Sequence, residues 1–203
     1  MITVIAGVNG AGKSSIVGDR FRESGGDYFN PDEIAKSLIK DTPTLSQTEA
    51  NSQAWKMGYD KLVDAITNDK EYIFETTLGG NSIAQRLFEA TEKGIKVSVL
   101  YVGLSSPDIH IERVRNRVLK GGHDIPEDKI RERYVGSIHN MMTLLPVCHQ
   151  VNVFDNSANI VDGKPRFKRL FSIKHKTIKI IENNMPEWAK PLASIGLKNY
   201  NIN

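Results

Sequence analysis

The chain contains a single cysteine in 203 residues, so no internal disulfide can form. Cys148, between Val147 and His149, reads as a small buried hydrophobe rather than a nucleophile, and a reducing compartment is expected. No stretch approaches the ~20 apolar residues needed to cross a bilayer. The apolar run Ile2–Ala6 begins at once, has no basic segment ahead of it and passes straight into a glycine loop. That is not the pattern of a targeting peptide, and the expected location is the cytoplasm. Repeats of roughly 20 to 50 residues and low-complexity tracts are both missing, which excludes a solenoid and argues against disorder. The five histidines show no ligand spacing, so no histidine metal centre is expected. A formal net charge of +3 is too small to announce a nucleic-acid partner.

What is present is the composition of an ordinary globular domain, 39% hydrophobic and 25% charged, long enough for one sizeable core. Short apolar runs at Ile2–Ala6, Asp27–Phe29, Glu71–Glu75, Lys96–Val102 and Gln150–Phe154 read as strands. Helical patterns near 13–23, 31–40, 47–68, 81–93, 107–119 and 127–143 separate them. This alternation predicts an α/β fold, a parallel sheet with helices on both faces. Asn30-Pro31 and Ser106-Pro107 each supply an N-cap followed by proline at the first helical position, and Gly94 stops a helix before the fourth strand. After Phe154 the pattern changes to loop, hairpin and a short helix around Pro186 to Leu192. A single domain over 1–203 is expected, with a core to about 157 and a C-terminal appendage over 158–203.

The segment Gly7-Val8-Asn9-Gly10-Ala11-Gly12-Lys13-Ser14 matches G-x-x-x-x-G-K-[ST] and lies between a predicted strand and a predicted helix. Glycines let the backbone wrap a phosphate with no Cβ in the way, and successive amides with the helix N-terminus supply positive potential. Gly7, Asn9, Gly10, Ala11, Gly12, Lys13, Ser14 and Ser15 are therefore the candidate nucleotide-binding residues. Lys13 is placed to reach the β- and γ-phosphates of ATP, and the Ser14 hydroxyl to ligate Mg²⁺. A plain glycine turn has no need of the Lys-Ser pair. The chain has no Asn-Lys-x-Asp segment for a guanine base and no Gly-rich ABC signature far downstream; Ser24-Gly25-Gly26 is better explained as a helix stop. What remains is a compact kinase layout, a three-layer P-loop fold.

In that layout the acceptor sits beyond the second strand, where Asn30-Pro31-Asp32-Glu33 falls. Asp32 is the candidate base for an acceptor hydroxyl, although acids in a first helical turn also serve the macrodipole, the role assigned to Glu33. Glu75 ends the third strand and is expected to bind acceptor more than metal, with Thr76 beside it; turn chemistry alone also explains Thr76-Thr77. Arg113 and Arg117 lie four apart on one helix face, opposite Ile111, Val114 and Val118. Gly121 to Pro126 forms a loop, and the next helix brings Arg131 and Arg133. Two such helices describe a lid over ATP, with Arg117 and Arg133 the preferred phosphate clamps and Arg113 and Arg131 the substitutes. His123 could touch a phosphate, although a lone loop histidine is more often only polar surface. Asp155-Asn156-Ser157 lies where a loop approaches the adenine, or simply forms a turn. Lys164 to Lys179 carries seven Lys or Arg and no acid: a footprint for RNA or anionic membrane, or one solvated face of a ribbon on which Phe167, Arg169, Phe171 and Ile173 alternate.

Together these motifs resemble the zeta-toxin family of P-loop kinases, in its bacterial zeta-toxin-like branch. The resemblance rests on residues 7–15, Asn-Pro-Asp-Glu-Ile-Ala at 30–35, Phe-Glu-Thr-Thr-Leu at 74–78, Arg-Val-Arg-Asn-Arg-Val at 113–118, Gly-Gly-His-Asp-Ile-Pro at 121–126 and Phe-Asp-Asn-Ser at 154–157. It implies an ATP- and Mg²⁺-dependent kinase whose acceptor is a UDP-N-acetylamino sugar, phosphorylated on the sugar 3′-hydroxyl, with an antitoxin protein as a candidate partner. The family's base falls on Asp32, its acceptor-binding acid on Glu75, and its clamping arginines on Arg117 and one of Arg131 or Arg133. Two other expectations stay open: a kinase of nucleic-acid 5′-hydroxyls or tRNA, and a binding module that reads ATP without transferring phosphate.

Overall fold

The computed structural model describes residues 1–16, 28–158 and 166–202. Its strands are β1 (Ile2–Ala6), β2 (Tyr28–Phe29), β3 (Tyr72–Thr76), β4 (Val97–Gly103), β5 (Gln150–Asp155), β6 (Lys168–Lys174), β7 (Thr177–Ile180) and β8 (Asn201–Ile202). They form one sheet in the order β2-β3-β1-β4-β5-β6-β7-β8. The first five are mutually parallel. β1 lies at their centre, and Ile2, Val4, Ile5 and Ala6 are each almost fully buried, as a strand covered on both faces by helices requires.

The helices follow the expected alternation. α1 opens at residues 13–16; the rest of that pattern, with Ser24-Gly25-Gly26 and Asp27, lies outside the described residues, as does Lys164. Next come α2 (Pro31–Asp41), α3 (Gln47–Thr67), α4 (Asn81–Glu92), α5 (Pro107–Val118), α6 (Glu127–Leu144) and α7 (Lys190–Asn199). Their starts are chemical. Asn30 Oδ1 accepts from the Asp32 amide at 2.9 Å, and Ser46 forms a reciprocal capping box with Glu49. The Ser106 side chain caps α5.

The sheet is mixed because the C-terminal hairpin joins it. β6 runs antiparallel to β5, and β7 antiparallel to β6. The ribbon alternation expected from Phe167 to Ile173 is interrupted by a register shift opposite Val153 and Phe154, where Val153 pairs with Phe171 and Phe154 with Arg169. One extra residue on a strand turns every later side chain to the other face. Leu170 and Phe171 are consequently both buried and Arg169 is exposed. The segment expected as an appendage extends the sheet and feeds the main core: Phe171, Ile173, Ile178, Trp188 and Leu192 are all buried in the same cluster as Ile2 and Val4. Trp188 packs on Gly103 so closely that a Cβ there would fall 2.4 Å from the indole.

Candidate active site

The candidate site residues gather at the C-terminal ends of the parallel strands, where α/β sheets present loops to ligands. Leaving β1, the chain turns at Gly7 with φ +147°; a Cβ there would lie 2.3 Å from the Val102 carbonyl oxygen. Two side chains hold the loop from behind. His110, on α5, bonds the Asn9 carbonyl through Nδ1 at 2.8 Å, and Asn156, following β5, donates Nδ2–H to the Ala11 carbonyl at 2.9 Å. Burial, together with the charges of Lys13 and Arg113, pushes His110 down to about 4, so it is neutral at pH 7 and Nδ1 carries the proton it donates. The Ser15 amide bonds the Gly12 carbonyl at 3.1 Å. Lys13 and Ser14 open α1, so their amides have no acceptor inside the helix and are available to an anion.

Glu75 is delivered by strand register. β3 pairs with β1 so that Ile5 faces Glu75 and Ala6 faces Thr76, which puts the carboxylate level with the start of the glycine loop. The Ser14 hydroxyl donates to Glu75 Oε1 at 2.9 Å although the two are 61 positions apart. Glu75 is only 6% exposed. Tyr28 sits next to it; burial and the Glu75 charge push the phenol well above its ordinary range, and its buried hydroxyl makes no well-formed hydrogen bond. Thr76 Oγ1 accepts from the Leu78 amide at 3.0 Å, so its turn chemistry is real, and it borders the cavity as well. Asp32 is half-buried in the first turn of α2, 3.5 Å from a guanidinium nitrogen of Arg117.

The four arginines divide by position. Arg133, on α6, donates to Asn9 Oδ1 at 2.9 Å and so reaches the phosphate loop. Arg117 stands over Asp32, donates to the His123 carbonyl at 3.2 Å, and keeps a buried Nε without a partner. Arg113 binds the backbone carbonyls of Asn156 and Ala158 at 2.7 and 3.1 Å, bracing the loop after β5. Arg131 points outward into an exposed ion pair with Asp108 at 2.6 Å. α5 and α6 carry their own apolar cluster of Val8, Ile111, Val114, Ile125 and Ile130, and that cluster takes in the loop residue Val8.

Asn9, Lys13, Asp32, Glu75, Thr76 and Arg133 border a cavity of about 350 Å³, whereas Arg113, Arg117 and Arg131 do not line it. Its lining combines the charged groups of Lys13, Asp32, Glu75 and Arg133 with the aromatic rings of Phe29, Phe74, Tyr59 and Trp55. His123, expected as polar surface, lines it and is half-buried, and burial lowers its pKa. The α3 contribution escaped sequence reasoning because an amphipathic helix with aromatics at positions 55 and 59 is indistinguishable from one that merely packs. His110 and Asn156 were missed as loop anchors because their targets are backbone atoms more than 100 positions away. Among the described residues no group of three or more His, Cys, Asp or Glu could hold a metal ion. The basic ribbon starts beside the phosphate loop, where Phe167 lies 3.3 Å from a would-be Cβ on Gly12 and Lys168 pairs with Asp155, and leads away from it, β7 being five strand steps, or about 24 Å, from β3.

Residues 2–133 match a family model described as AAA domain (AAA_33). An uncharacterized protein of Haemophilus influenzae is 33% identical over 129 residues, 63% of this chain and 88% of that protein. The AvrRxo1-ORF1:AvrRxo1-ORF2 complex with sulphate ions superposes with a TM-score of 0.69 at 15% identity, covering 97% of this chain and 63% of that one. The same complex with ATP gives 0.68 at 14% identity and the same coverage. The PezAT chromosomal toxin-antitoxin system of Streptococcus pneumoniae gives 0.55 at 13% identity, covering 98% of this chain and 78% of that one. The chain thus spans about 63% of the length of the chain it matches in the first two structures. At these identities the likeness is one of fold, and the fold is P-loop kinase-like.

Proposed function

This chain belongs to the AAA domain family, and we propose that it is an ATP-dependent kinase that transfers the γ-phosphate to a hydroxyl of a small acceptor held in the 350 Å³ cavity. The observation that carries the reading is that one cavity is bordered both by Lys13 of the phosphate loop and by two carboxylates, Asp32 in the first turn of α2 just after β2 and Glu75 near the end of the neighbouring β3. A purely nucleotide-reading module needs the loop but not a roofed space with a base beside it.

The chemistry follows from these positions. The loop amides and Lys13 cradle the β- and γ-phosphates. Asp32 takes the proton of the acceptor hydroxyl as its oxygen bonds the γ-phosphorus and the bond to the bridging oxygen of ADP breaks. Arg133, already bound to Asn9, and Arg117, above Asp32, are the guanidinium groups that stabilise charge on the transferring oxygens. In the structure Arg117 holds the Asp32 carboxylate, so an acceptor hydroxyl displaces or shares that ion pair.

The residues present fit Mg²⁺. The Ser14 hydroxyl and Glu75 carboxylate meet at the loop, a sparse oxygen set of the kind that ion uses when it retains waters and phosphate oxygens. Ser14 would hold it directly, with Glu75 placed for its waters or for the acceptor. Bound there, the ion would neutralise the β- and γ-oxygens.

On the resemblance to zeta toxins, the leading acceptor is a UDP-N-acetylamino sugar. An antitoxin partner is proposed on the same ground and on the likeness to the PezAT toxin-antitoxin system. A kinase of nucleic-acid 5′-hydroxyls stays as the second reading, because Phe167 at the start of the basic ribbon lies 3.3 Å from where a Gly12 Cβ would stand in the phosphate loop, although β7 is five strand steps, or about 24 Å, from β3. The test is transfer from γ-labelled ATP and Mg²⁺ to UDP-amino sugars, nucleosides and 5′-hydroxyl RNA, with Asp32→Asn alongside wild type. Label on a small acceptor that falls about 10²- to 10⁴-fold in the variant, with ATP affinity kept, supports the kinase. ATP binding without transfer to any acceptor returns the chain to the binding-module reading.

A further inference from the structure

The aromatic lining of the cavity has no part in the chemistry above, yet it is a constructed surface. α3 turns Asn51, Trp55, Gly58 and Tyr59 toward the cavity, a spacing of four, three and one that places all four on one helix face. The helix can come this close because position 58 has no side chain: a Cβ there would lie 2.6 Å from the Phe29 ring. Trp55 is 50% exposed, unusual for a residue whose burial is among the most favourable available. One face of its indole is stacked on Tyr59, with centroids 5.2 Å apart and planes inclined by 19°. Tyr59 is itself fixed: its hydroxyl accepts from Arg86 Nε at 2.7 Å, the guanidinium carbon lies 5.8 Å from its ring centroid, and Arg86 is tied to Glu89 at 2.6 Å. The indole is therefore backed by a braced aromatic, half of the residue stays exposed, and it lines the same cavity as Asp32 and Glu75.

We propose that Trp55 is a stacking platform for a planar heteroaromatic ring carried by the acceptor, and that it selects ring-bearing acceptors over simple sugars and polyols. A flat ring laid on the open indole face desolvates two large apolar surfaces at little entropic cost, because Tyr59 and Arg86 have already fixed the platform. Ring-on-aromatic stacking is tolerant of ring identity, so the platform sets a class, and the polar neighbours Asn51 and Thr77 choose within it. The inference rests on the kinase reading only for which hydroxyl is phosphorylated.

The experiment reads binding without transfer. The chain has two tryptophans; Trp188 is 6% exposed, so acrylamide quenching of emission reports mainly Trp55. With the phosphate loop saturated by a non-hydrolysable ATP analogue, the probes are uridine, cytidine and adenosine, against N-acetylglucosamine and gluconate. At least one nucleoside should protect Trp55 from acrylamide, and neither ring-less sugar should. Trp55→Ala should weaken that nucleoside, read by calorimetry, roughly 5- to 100-fold, while Trp55→Phe stays within about threefold and circular dichroism checks that both fold. Full quenching in the presence of every nucleoside overturns the proposal, as does equal protection by a ring-less sugar. Ring protection with no phosphate transfer to any acceptor would sink the kinase reading and leave the platform standing; transfer with no ring protection would do the reverse.

Discussion

His110 offers a prediction whose size can be worked out in advance. Its ring is 1% exposed behind the phosphate loop, donates to the Asn9 carbonyl and meets Tyr134 edge-on at 5.7 Å. Burial and two nearby cations hold it at about 4, against 6.5 for a free imidazole. A base with a depressed folded pKa leaves the unfolded chain binding more protons, so its contribution is intact above pH 6.5 and is lost as pH falls toward 4. At pH 5 the gap is about 1.5 units, worth about 2 kcal/mol of unfolding free energy. Carboxylates also titrate in this range, so the comparison must be a difference between two proteins. His110→Asn keeps an amide N–H near the Nδ1 position and removes the titration. Urea unfolding at pH 7 and pH 5 should show wild type losing about 2 kcal/mol more than His110→Asn over that interval. ATP affinity should fall with it, since the same ring shapes the loop. Equal losses in the two proteins would refute the reasoning and mean that the imidazole is solvated or already charged.

Further outcomes follow from the same geometry. Arg133→Ala should lower kcat about 10²- to 10³-fold, whereas Arg131→Ala, which removes only an exposed ion pair worth about 0.2–1 kcal/mol, should leave steady-state transfer unchanged; similar losses would contradict the division of the arginines. Asn156→Ala removes the bond to the Ala11 carbonyl and should cost about 1–3 kcal/mol of stability and weaken ATP, measured by denaturation and by calorimetry. Gly7→Ala drives a Cβ to 2.3 Å from the Val102 carbonyl at φ +147° and should abolish ATP binding in a chain that retains its helical circular dichroism; retained binding would show that the loop can move off β4.

The sequence alone determined the local pieces. The run Ile2–Ala6 is apolar at nearly every position because a central parallel strand is covered on both faces, and the glycines after it fall where the loop takes positive φ, at Gly7, Gly10 and Gly12. Asn30-Pro31 and Ser106-Pro107 mark their helix starts through chemistry that acts within four residues, so α2 and α5 were legible as they stand. Tertiary structure decided everything that depends on two distant segments meeting. Which arginine reaches the glycine loop was decided by the packing of α6, whose Gly136 lets it approach within 2.3 Å of the Gly79 carbonyl oxygen at its would-be Cβ, with Arg133 bonded to Asn9 and Arg131 turned to Asp108. The register shift opposite Val153 is invisible in a period-two pattern, because one inserted residue preserves composition while reversing the face. The aromatic wall of the cavity exists only because α3 lies against β2 at Gly58 and Phe29, a contact between surfaces that carry no local signal of each other.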